Sequence, residues 1–551
     1  MNQAARPGAL PPVRQSRTDS HTPFHPWLWP LGALAASVLL GLWVTRDPTF
    51  LHLELSLTPR SLVPLAAAAA LVAVILRHPG AGLVLLVAAV YLNLSQVLVR
   101  DHGFPSLLQI LVVPLFLAAV VERAGRSGPI PVSTFRRGHH LLLFLVALHV
   151  GAILLSTTVA VDRELADERV VEVSKGFVLV GLIVLLGTTR SRLRRVVWTL
   201  LGAGCLLGGL AVVQAVTGDF GTDFGGLARV KHAHIHGNVF QPRIAGPLGD
   251  PNYFAQILLV LVPMALFLGW REPNRRWRVL ALAAGGVILV ASVLTYSRGG
   301  ALALGVVLLL SVLVNGINVR MLGGGLALLL AAGFLLPQDF TERLATVVEI
   351  VPGQEDEVLQ RDSSFEERLL LGGVAWEMFR AQPLLGVGAG NYTVHFDDYV
   401  HQVGSTARDY GGADEMRYPH NLYLELGAEG GIVALATFLL VMGGILALLV
   451  RARRAFLAAG DGYLAGLAAA VAIGLVGYLI SSVFLHGHFQ RYLWLLVGLG
   501  AALYAISTGP GTARAREPGS GDARPPPGAN PSLLAHAGSL ADSGSLAESN
   551  S

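Results

Sequence analysis

Residues 418–431 read Tyr418-Pro-His-Asn-Leu-Tyr-Leu-Glu-Leu-Gly-Ala-Glu-Gly-Gly431 and close a polar stretch that begins near Gln338. Almost everything before and after this stretch is apolar. A polar insert of this length cannot lie in hydrocarbon, because its backbone and side chains would lack hydrogen-bond partners there. We therefore predict a small water-facing domain, held over one side of a bundle of membrane helices, as the place where chemistry occurs.

The composition is that of a polytopic membrane protein. Of the 551 residues, 53% are hydrophobic and only 14% are charged, and the mean hydropathy is +0.58. Soluble proteins carry about 25% charged residues. The formal net charge of +4 is no signal for nucleic acid, and we expect no such partner. The single cysteine, Cys205, excludes an intramolecular disulfide and a cysteine metal cage.

The apolar runs predict an all-α fold with about fourteen transmembrane helices, or twelve if the tightest junctions are miscounted. Each run approaches the roughly 20 residues that a spanning helix needs. The predicted spans are 27–44, 62–76, 81–99, 105–122, 141–160, 171–188, 196–216, 252–270, 279–296, 300–318, 321–337, 431–450, 462–485 and 490–507.

The same pattern divides the chain into six segments. They are a disordered cytoplasmic tail (1–26), the N-terminal transmembrane helices (27–216), a second group of transmembrane helices (217–337), an extracytoplasmic loop domain (338–430), the C-terminal transmembrane helices (431–507) and a disordered cytoplasmic tail (508–551). The first apolar run lacks a small-residue cleavage site, so we interpret it as an uncleaved signal anchor.

The distribution of arginine predicts the orientation. Arginine-rich clusters at 123–137, 190–195, 271–278 and 451–454 follow the fourth, sixth, eighth and twelfth spans. With fourteen spans all four clusters fall on one side, which the positive-inside rule makes cytoplasmic. The loop domain then faces outward together with the connection 217–251 and the turn at 295–300.

Three side chains on this outer face are candidates for catalysis. Arg298 lies between two apolar runs on the side that disfavours positive charge, so it is either functional or a snorkelling helix-end residue. Arg368 lies in a predicted amphipathic helix over 363–379, where the alternative is a solvated charge. His420 opens the run that returns to the membrane. An imidazole there titrates near neutral pH and can accept a proton from a sugar hydroxyl, although it is alternatively a plain helix-start residue.

Other polar features are weaker candidates. His232, His234 and His236 alternate along an extended segment and suggest metal ligation, but no carboxylate or cysteine completes a site, so we expect no metal and no cofactor. The glycine-rich turn 384–391 is similar to a phosphate cradle. Glu425 and Glu429 follow His420 on neighbouring turns and are the alternative proton acceptors.

Taken in order, these motifs resemble the O-antigen ligase superfamily, which includes lipopolysaccharide ligases and O-antigen or exopolysaccharide polymerases. The resemblance covers roughly 240–450, and the first seven spans fit only as generic membrane helices. The matching stretches are Arg243 with Gly-Pro-Leu-Gly-Asp-Pro-Asn252, Tyr-Ser-Arg298-Gly-Gly, Arg368 with Trp376 and Phe379, Pro383-Leu-Leu-Gly-Val-Gly388, and His420-Asn through Gly431.

The resemblance implies a glycosyltransferase in the bacterial inner membrane with its active site facing the periplasm. Its implied partners are an undecaprenyl diphosphate-linked glycan donor, a glycan or lipid A-core acceptor, and membrane lipids. By motif position Arg298, Arg368 and His420 are catalytic, and Arg243 and Asn252 join the two arginines in binding substrate. Ligases often carry Gly, Thr or Tyr at the position of Ala434, which leaves polysaccharide ligase and polymerase as alternatives.

The residues fit this chemistry even without the resemblance to a family. Arginines bind phosphates bidentately and neutralise a leaving diphosphate, and a neutral histidine takes the proton of the attacking hydroxyl. The reaction would invert the anomeric centre and need no metal.

A polysaccharide or solute transporter is a rival interpretation, but a transporter requires charged groups inside its spans and paired broken helices. An envelope-assembly protein without activity has no need for the two arginines and the histidine to converge.

Overall fold

The computed structural model describes residues 69–125, 137–236, 239–315, 363–404, 417–488 and 490–509. The predicted spans 27–44 and 321–337 lie outside these residues. So do the first part of span 62–76, nearly all of both predicted tails, and the loop segments 338–362 and 405–416.

Helices dominate the described residues, as predicted. After a helical stretch over 69–77, the elements are α1 (Pro79–Tyr91), α2 (Leu94–His102), α3 (Leu107–Gly125), α4 (Arg137–Ser156), α5 (Arg163–Leu186), α6 (Arg190–Thr217), β1 (Arg229–His236), β2 (Val239–Gly246), α7 (Pro251–Leu259), α8 (Val262–Arg271), α9 (Arg275–Leu294), α10 (Arg298–Asn315), α11 (Ser363–Ala381), α12 (Phe396–Val400), α13 (Leu422–Ala458), α14 (Gly462–Ser481) and α15 (Arg491–Ser507). β1 and β2 pair antiparallel as a hairpin. The hairpin departs from the predicted all-α fold, since we expected only a connection there.

Five of the described helices are long and apolar enough to cross a membrane: α6, the α7–α8 pair, α9, α13 and α14. The helices α1 and α2, bent by 59° at Leu92 and Asn93, make a sixth if they form one broken span. Shorter apolar helices occupy the predicted spans 105–122, 141–160, 300–318 and 490–507. The chain is therefore a helical membrane protein, while the count of fourteen spans stays a prediction.

Small residues allow the helices to pack closely. Gly176 of α5 lies against the ring of Trp494 of α15, so near that an added Cβ would stand 2.4 Å from the indole. Phe177 meets the same indole edge-on at 4.7 Å between ring centroids. Close backbone approach at small residues is how membrane helices gain dispersion contacts without a hydrophobic driving force. Close packing of the helices therefore depends on the small size of the residues at such positions.

The two ends of the bundle differ in chemistry. Ion pairs join the arginine-rich connections at one end: Arg192 to Glu122 (2.7 Å), Arg194 to Glu272 (2.7 Å) and Arg190 to Asp461 (3.3 Å). The other end gathers the β-hairpin, the turn before α10, the start of α13, and the connections 157–162 and 482–488. The described arginine clusters and the predicted site thus lie at opposite ends.

α13 is broken at Gly431, which has φ 61° and ψ −165°. The break frees backbone groups that the segment 383–388 satisfies. The N–H groups of Val387 and Gly388 donate to the carbonyls of Ala428 (2.8 Å) and Glu429 (3.1 Å), and the N–H of Ile432 donates to the carbonyl of Pro383 (2.8 Å). Non-helical backbone within a membrane protein is tolerated where other protein groups supply its hydrogen-bond partners, as they do here.

This pairing shows that our interpretation of the glycine-rich turn was wrong. A phosphate cradle needs backbone N–H groups that point at a ligand. Here those of Val387 and Gly388 bond to α13, and that of Gly390 donates to a carboxylate oxygen of Glu429 at 2.9 Å. The turn docks the loop domain onto the broken helix.

We predict that Gly431→Ala destabilises the protein by at least about 1–2 kcal/mol, because a side chain is strained in the left-handed region. The added Cβ would also stand 2.2 Å from the carbonyl oxygen of Leu384. Gly443→Ala is the matched control, since it lies in the same helix and nothing lies within 4 Å of its added Cβ. Thermal unfolding followed by tryptophan fluorescence measures both variants. Equal midpoints would contradict the role of the break.

Candidate functional site

His420 lies in the turn that leads into α13. Its φ of 45° is one that residues other than glycine seldom adopt, and such strain costs on the order of 1–3 kcal/mol. Asn421 then caps the helix by accepting from the N–H groups of Tyr423 (3.0 Å) and Leu424 (3.1 Å). The capped helix start and the strained turn together fix the direction in which the imidazole projects.

The surroundings keep His420 neutral. The pKa of His420 is lowered from 6.5 to about 4, first by burial and then by the nearby His486 and the charge of Arg368. Its Nδ1 is buried and has no hydrogen-bond partner among the described residues. We therefore expect Nε2 to be the nitrogen that meets a substrate. A neutral imidazole with one accessible nitrogen can accept a proton from a hydroxyl group.

Arg368 reaches this histidine from α11. The helix packs on the outer half of α13 through a separate apolar cluster that includes Leu371, Val374 and Met378. Arg368 is half-buried in the second turn of α11, and its charge acts on His420. The docking of α11 on α13 therefore puts Arg368 within electrostatic range of His420, although the two residues are distant in sequence.

Arg243 and Asn252 lie with the turn that carries Arg298. The guanidinium of Arg243 donates to the carbonyls of Thr295 (3.0 Å) and Tyr296 (3.2 Å), and more weakly to Oδ1 of Asn252 (3.4 Å). These carbonyls end α9 just before Arg298 begins α10. Arg243 thus orders the turn, and its predicted contact with substrate stays a prediction, as does that of Asn252.

The turn is also packed from two sides. An added Cβ at Gly299 would stand 2.7 Å from the ring of Phe484, and one at Gly300 would stand 2.8 Å from Cβ of Ala255. Only glycine fits between these neighbours. The start of α10, and with it Arg298, is therefore held between α7 and the segment 482–488.

Tyr253 and His486 connect the Arg298 turn to His420. The hydroxyl of Tyr253, the residue after Asn252, donates to the carbonyl of His486 at 2.9 Å. The His486 ring lies 5.3 Å from the His420 ring, centroid to centroid, at 72°. The predicted residues thus form two groups, one around Arg298 and one around His420, which the segment 482–488 joins.

Among the described residues, no group of three His, Cys, Asp or Glu side chains is arranged to hold a metal. The side chains of His234 and His236 lie outside the described residues. The expectation of a metal-free site stays a prediction.

Sequence reasoning missed a buried charge cluster beneath the site. Arg169 of α5 places one guanidinium nitrogen 3.7 Å from Glu425 and another 3.9 Å from Glu429. The side chains are 9%, 0% and 3% exposed. Buried charges need partners, because transfer out of water costs several kcal/mol per ion. The signal available in the sequence was the pair of carboxylates on neighbouring turns of α13, together with the charged start of α5.

The same carboxylates hold two loops. One oxygen of Glu425 accepts from the N–H of Gly487 at 2.6 Å, and one oxygen of Glu429 accepts from the N–H of Gly390 at 2.9 Å. Both side chains are closed off from solvent, so neither is placed to meet an acceptor sugar. We therefore abandon Glu425 and Glu429 as alternative proton acceptors.

The fold and the site together define a helical membrane protein with a polar, arginine- and histidine-containing site at one end. Residues 287–439 match the family model described as O-antigen ligase, so the resemblance is confirmed over that segment. The match contains Arg298, Arg368 and His420. A search of curated proteins finds no significant match.

We predict that Arg169→Gln destabilises the protein by about 3–5 kcal/mol, because it leaves two buried carboxylates without their cation. Arg163→Gln, at the exposed start of the same helix, should change stability by no more than about 0.5 kcal/mol. Unfolding midpoints in detergent test both. If the Arg169 variant matched the Arg163 variant, the cluster would not be a structural element.

Proposed function

We propose that this protein is an O-antigen ligase-like membrane glycosyltransferase. It transfers a glycan from a polyprenyl diphosphate, of the undecaprenyl class, to an acceptor hydroxyl at the outer face of the inner membrane. The observation that carries the proposal is the neutral, half-buried His420 beside the cation of Arg368, inside the segment that matches the O-antigen ligase family.

The arginines act on the donor. The diphosphate gains negative charge as the bond from its oxygen to the anomeric carbon breaks, and Arg298 and Arg368 stabilise that charge. Guanidinium forks suit phosphate oxygens because they donate two parallel hydrogen bonds. The rigid support of the Arg298 turn by Arg243 and Phe484 favours this role, since charge stabilisation requires donors that are already in place.

His420 acts on the acceptor. Its Nε2 takes the hydroxyl proton while the acceptor oxygen attacks the anomeric carbon from the face opposite the departing diphosphate. The new bond to oxygen forms as the old one breaks, and the configuration inverts. The reaction uses no metal in this scheme, because guanidinium groups supply the positive charge.

The distribution of arginine supports the proposed orientation of the protein in the membrane. The described arginine clusters share the end opposite to the site, and arginine-rich short connections remain in the cytoplasm. The site then faces the periplasm, where lipid-linked glycans are displayed to acceptors.

Separate assays of donor binding and of glycan transfer should distinguish the role of Arg298 from that of His420. Arg298→Ala should weaken binding of an undecaprenyl diphosphate-linked glycan, and Arg298→Lys should weaken it less, because lysine keeps the charge but loses the fork. His420→Ala should bind this donor normally and lower turnover on the order of 100-fold or more. The measurements are donor binding and glycan transfer by purified protein in nanodiscs.

Arg380→Ala is the matched control, since Arg380 is exposed in α11 and pairs with Glu377 on its own helix. It should leave both assays unchanged. Lost donor binding in His420→Ala with normal turnover at saturation would refute the base assignment. Transfer to lipid A-core or to a second lipid-linked glycan would decide between ligase and polymerase.

The pH dependence should follow the lowered pKa of His420. A base with a pKa of about 4 stays unprotonated down to that pH, so the acid limb of kcat/KM should fall near pH 4 rather than near 6.5. In the complex with donor, the negative diphosphate offsets the charge of Arg368 and so raises the pKa of His420. The acid limb of kcat should therefore lie at higher pH than that of kcat/KM. Rate profiles between pH 3.5 and 8, with stability checked at each pH, test both. An acid limb of kcat/KM near 6.5 would contradict the assignment.

A further inference from the structure

The segment 482–488, between α14 and α15, enters the site from outside the part of the chain that matches the family model. It touches both halves of the site. Phe484 lies against Gly299 next to Arg298, and His486 lies against His420. From the sequence we predicted residues 482–485 as the end of the span 462–485, and the residues after them only as a short connection to the span 490–507.

The His486 ring is held by aromatic rings from two other elements. It stacks on Tyr418 with ring centroids 4.4 Å apart and planes 10° apart. It meets Tyr253 edge-on at 5.6 Å and His420 at 5.3 Å. Stacked and edge-to-face contacts of this kind hold aromatic rings in defined orientations. His420 therefore rests on a ring that is itself fixed.

The backbone of the segment is anchored as well. The carbonyl of Ser482 accepts from the N–H of Leu422 at 3.0 Å, and the N–H of Gly487 donates to Glu425 at 2.6 Å. The indole of Trp494 donates to the carbonyl of His488 at 3.1 Å. The first two bonds join the segment to the first turns of α13, directly after His420, and the third joins it to α15.

We propose that His486 is a positioning residue for His420. Its ring, stacked on Tyr418, supports the imidazole of His420 and keeps water from the buried side of that ring, and it does not itself meet the substrate. The proposal rests on the proposed function for its link to glycan transfer. Burial and the nearby His486 are the two largest causes of the low pKa of His420, ahead of Arg368, so loss of the His486 ring should raise that pKa.

The test compares two substitutions in nanodiscs. His486→Ala removes the supporting ring, so kcat should fall about 10-fold or more, donor binding should persist, and the acid limb of kcat/KM should move upward from pH 4. His486→Phe retains an aromatic ring without nitrogen and keeps His420 buried, so it should restore most of kcat and bring the acid limb back toward pH 4. His401→Ala, at an exposed histidine of the loop domain, is the control and should behave as the wild type.

A second readout does not need activity. Modification of His420 by diethyl pyrocarbonate, followed by mass spectrometry, should be several-fold faster in His486→Ala than in the wild type and unchanged in His486→Phe. Wild-type rates and an unshifted limb in His486→Ala would overturn the positioning role.

A folded His486→Phe protein as inactive as His486→Ala would overturn the role too, because the nitrogen would then be required. If the wild type transferred no glycan from the lipid-linked donor, the proposed function would fail. The modification rates would still test how His486 supports His420.

Discussion

The structure depends on the break in α13. A helix that crosses the bundle stops its hydrogen-bond ladder at Gly431, and the freed groups must be satisfied within protein because hydrocarbon offers none. The segment 383–388 supplies them. The loop domain is thus joined to a membrane helix by backbone hydrogen bonds, and Arg368 and His420, carried by different helices, keep a defined relation.

Beneath that junction lies the second constraint, the buried charge of Glu425, Glu429 and Arg169. One guanidinium faces two carboxylates, and each carboxylate also accepts from the backbone of a loop. Charges in a low-dielectric interior are costly to leave unpaired, so the cluster couples α5, α13 and two loops. Rigidity of this kind is what a site that stabilises developing charge requires, because its donors must be in place before reaction.

The low basicity of His420 follows from the same surroundings. Burial excludes the water that would solvate an imidazolium, and the nearby positive charge disfavours a second one. A neutral imidazole at physiological pH is ready to take a proton. Arg368, which we propose binds the diphosphate, therefore also helps to keep His420 neutral, so the two parts of the proposed mechanism share an electrostatic cause.

The sequence by itself determined the class of protein and most helix positions among the described residues. It also singled out Arg298, Arg368 and His420 as site residues, and their roles stay a prediction. Apolar runs, arginine bias and short ordered motifs are local properties that can be recognised in a linear chain. The hairpin, the docking of the glycine-rich turn, the cluster around Arg169 and the support from His486 were decided by tertiary structure. Asp162 and Asn391, for example, bond across 229 positions, and His486 meets His420 from beyond two helices, α13 and α14. Such contacts leave no local periodicity, because their partners are chosen by how helices pack and by which buried groups need a hydrogen bond.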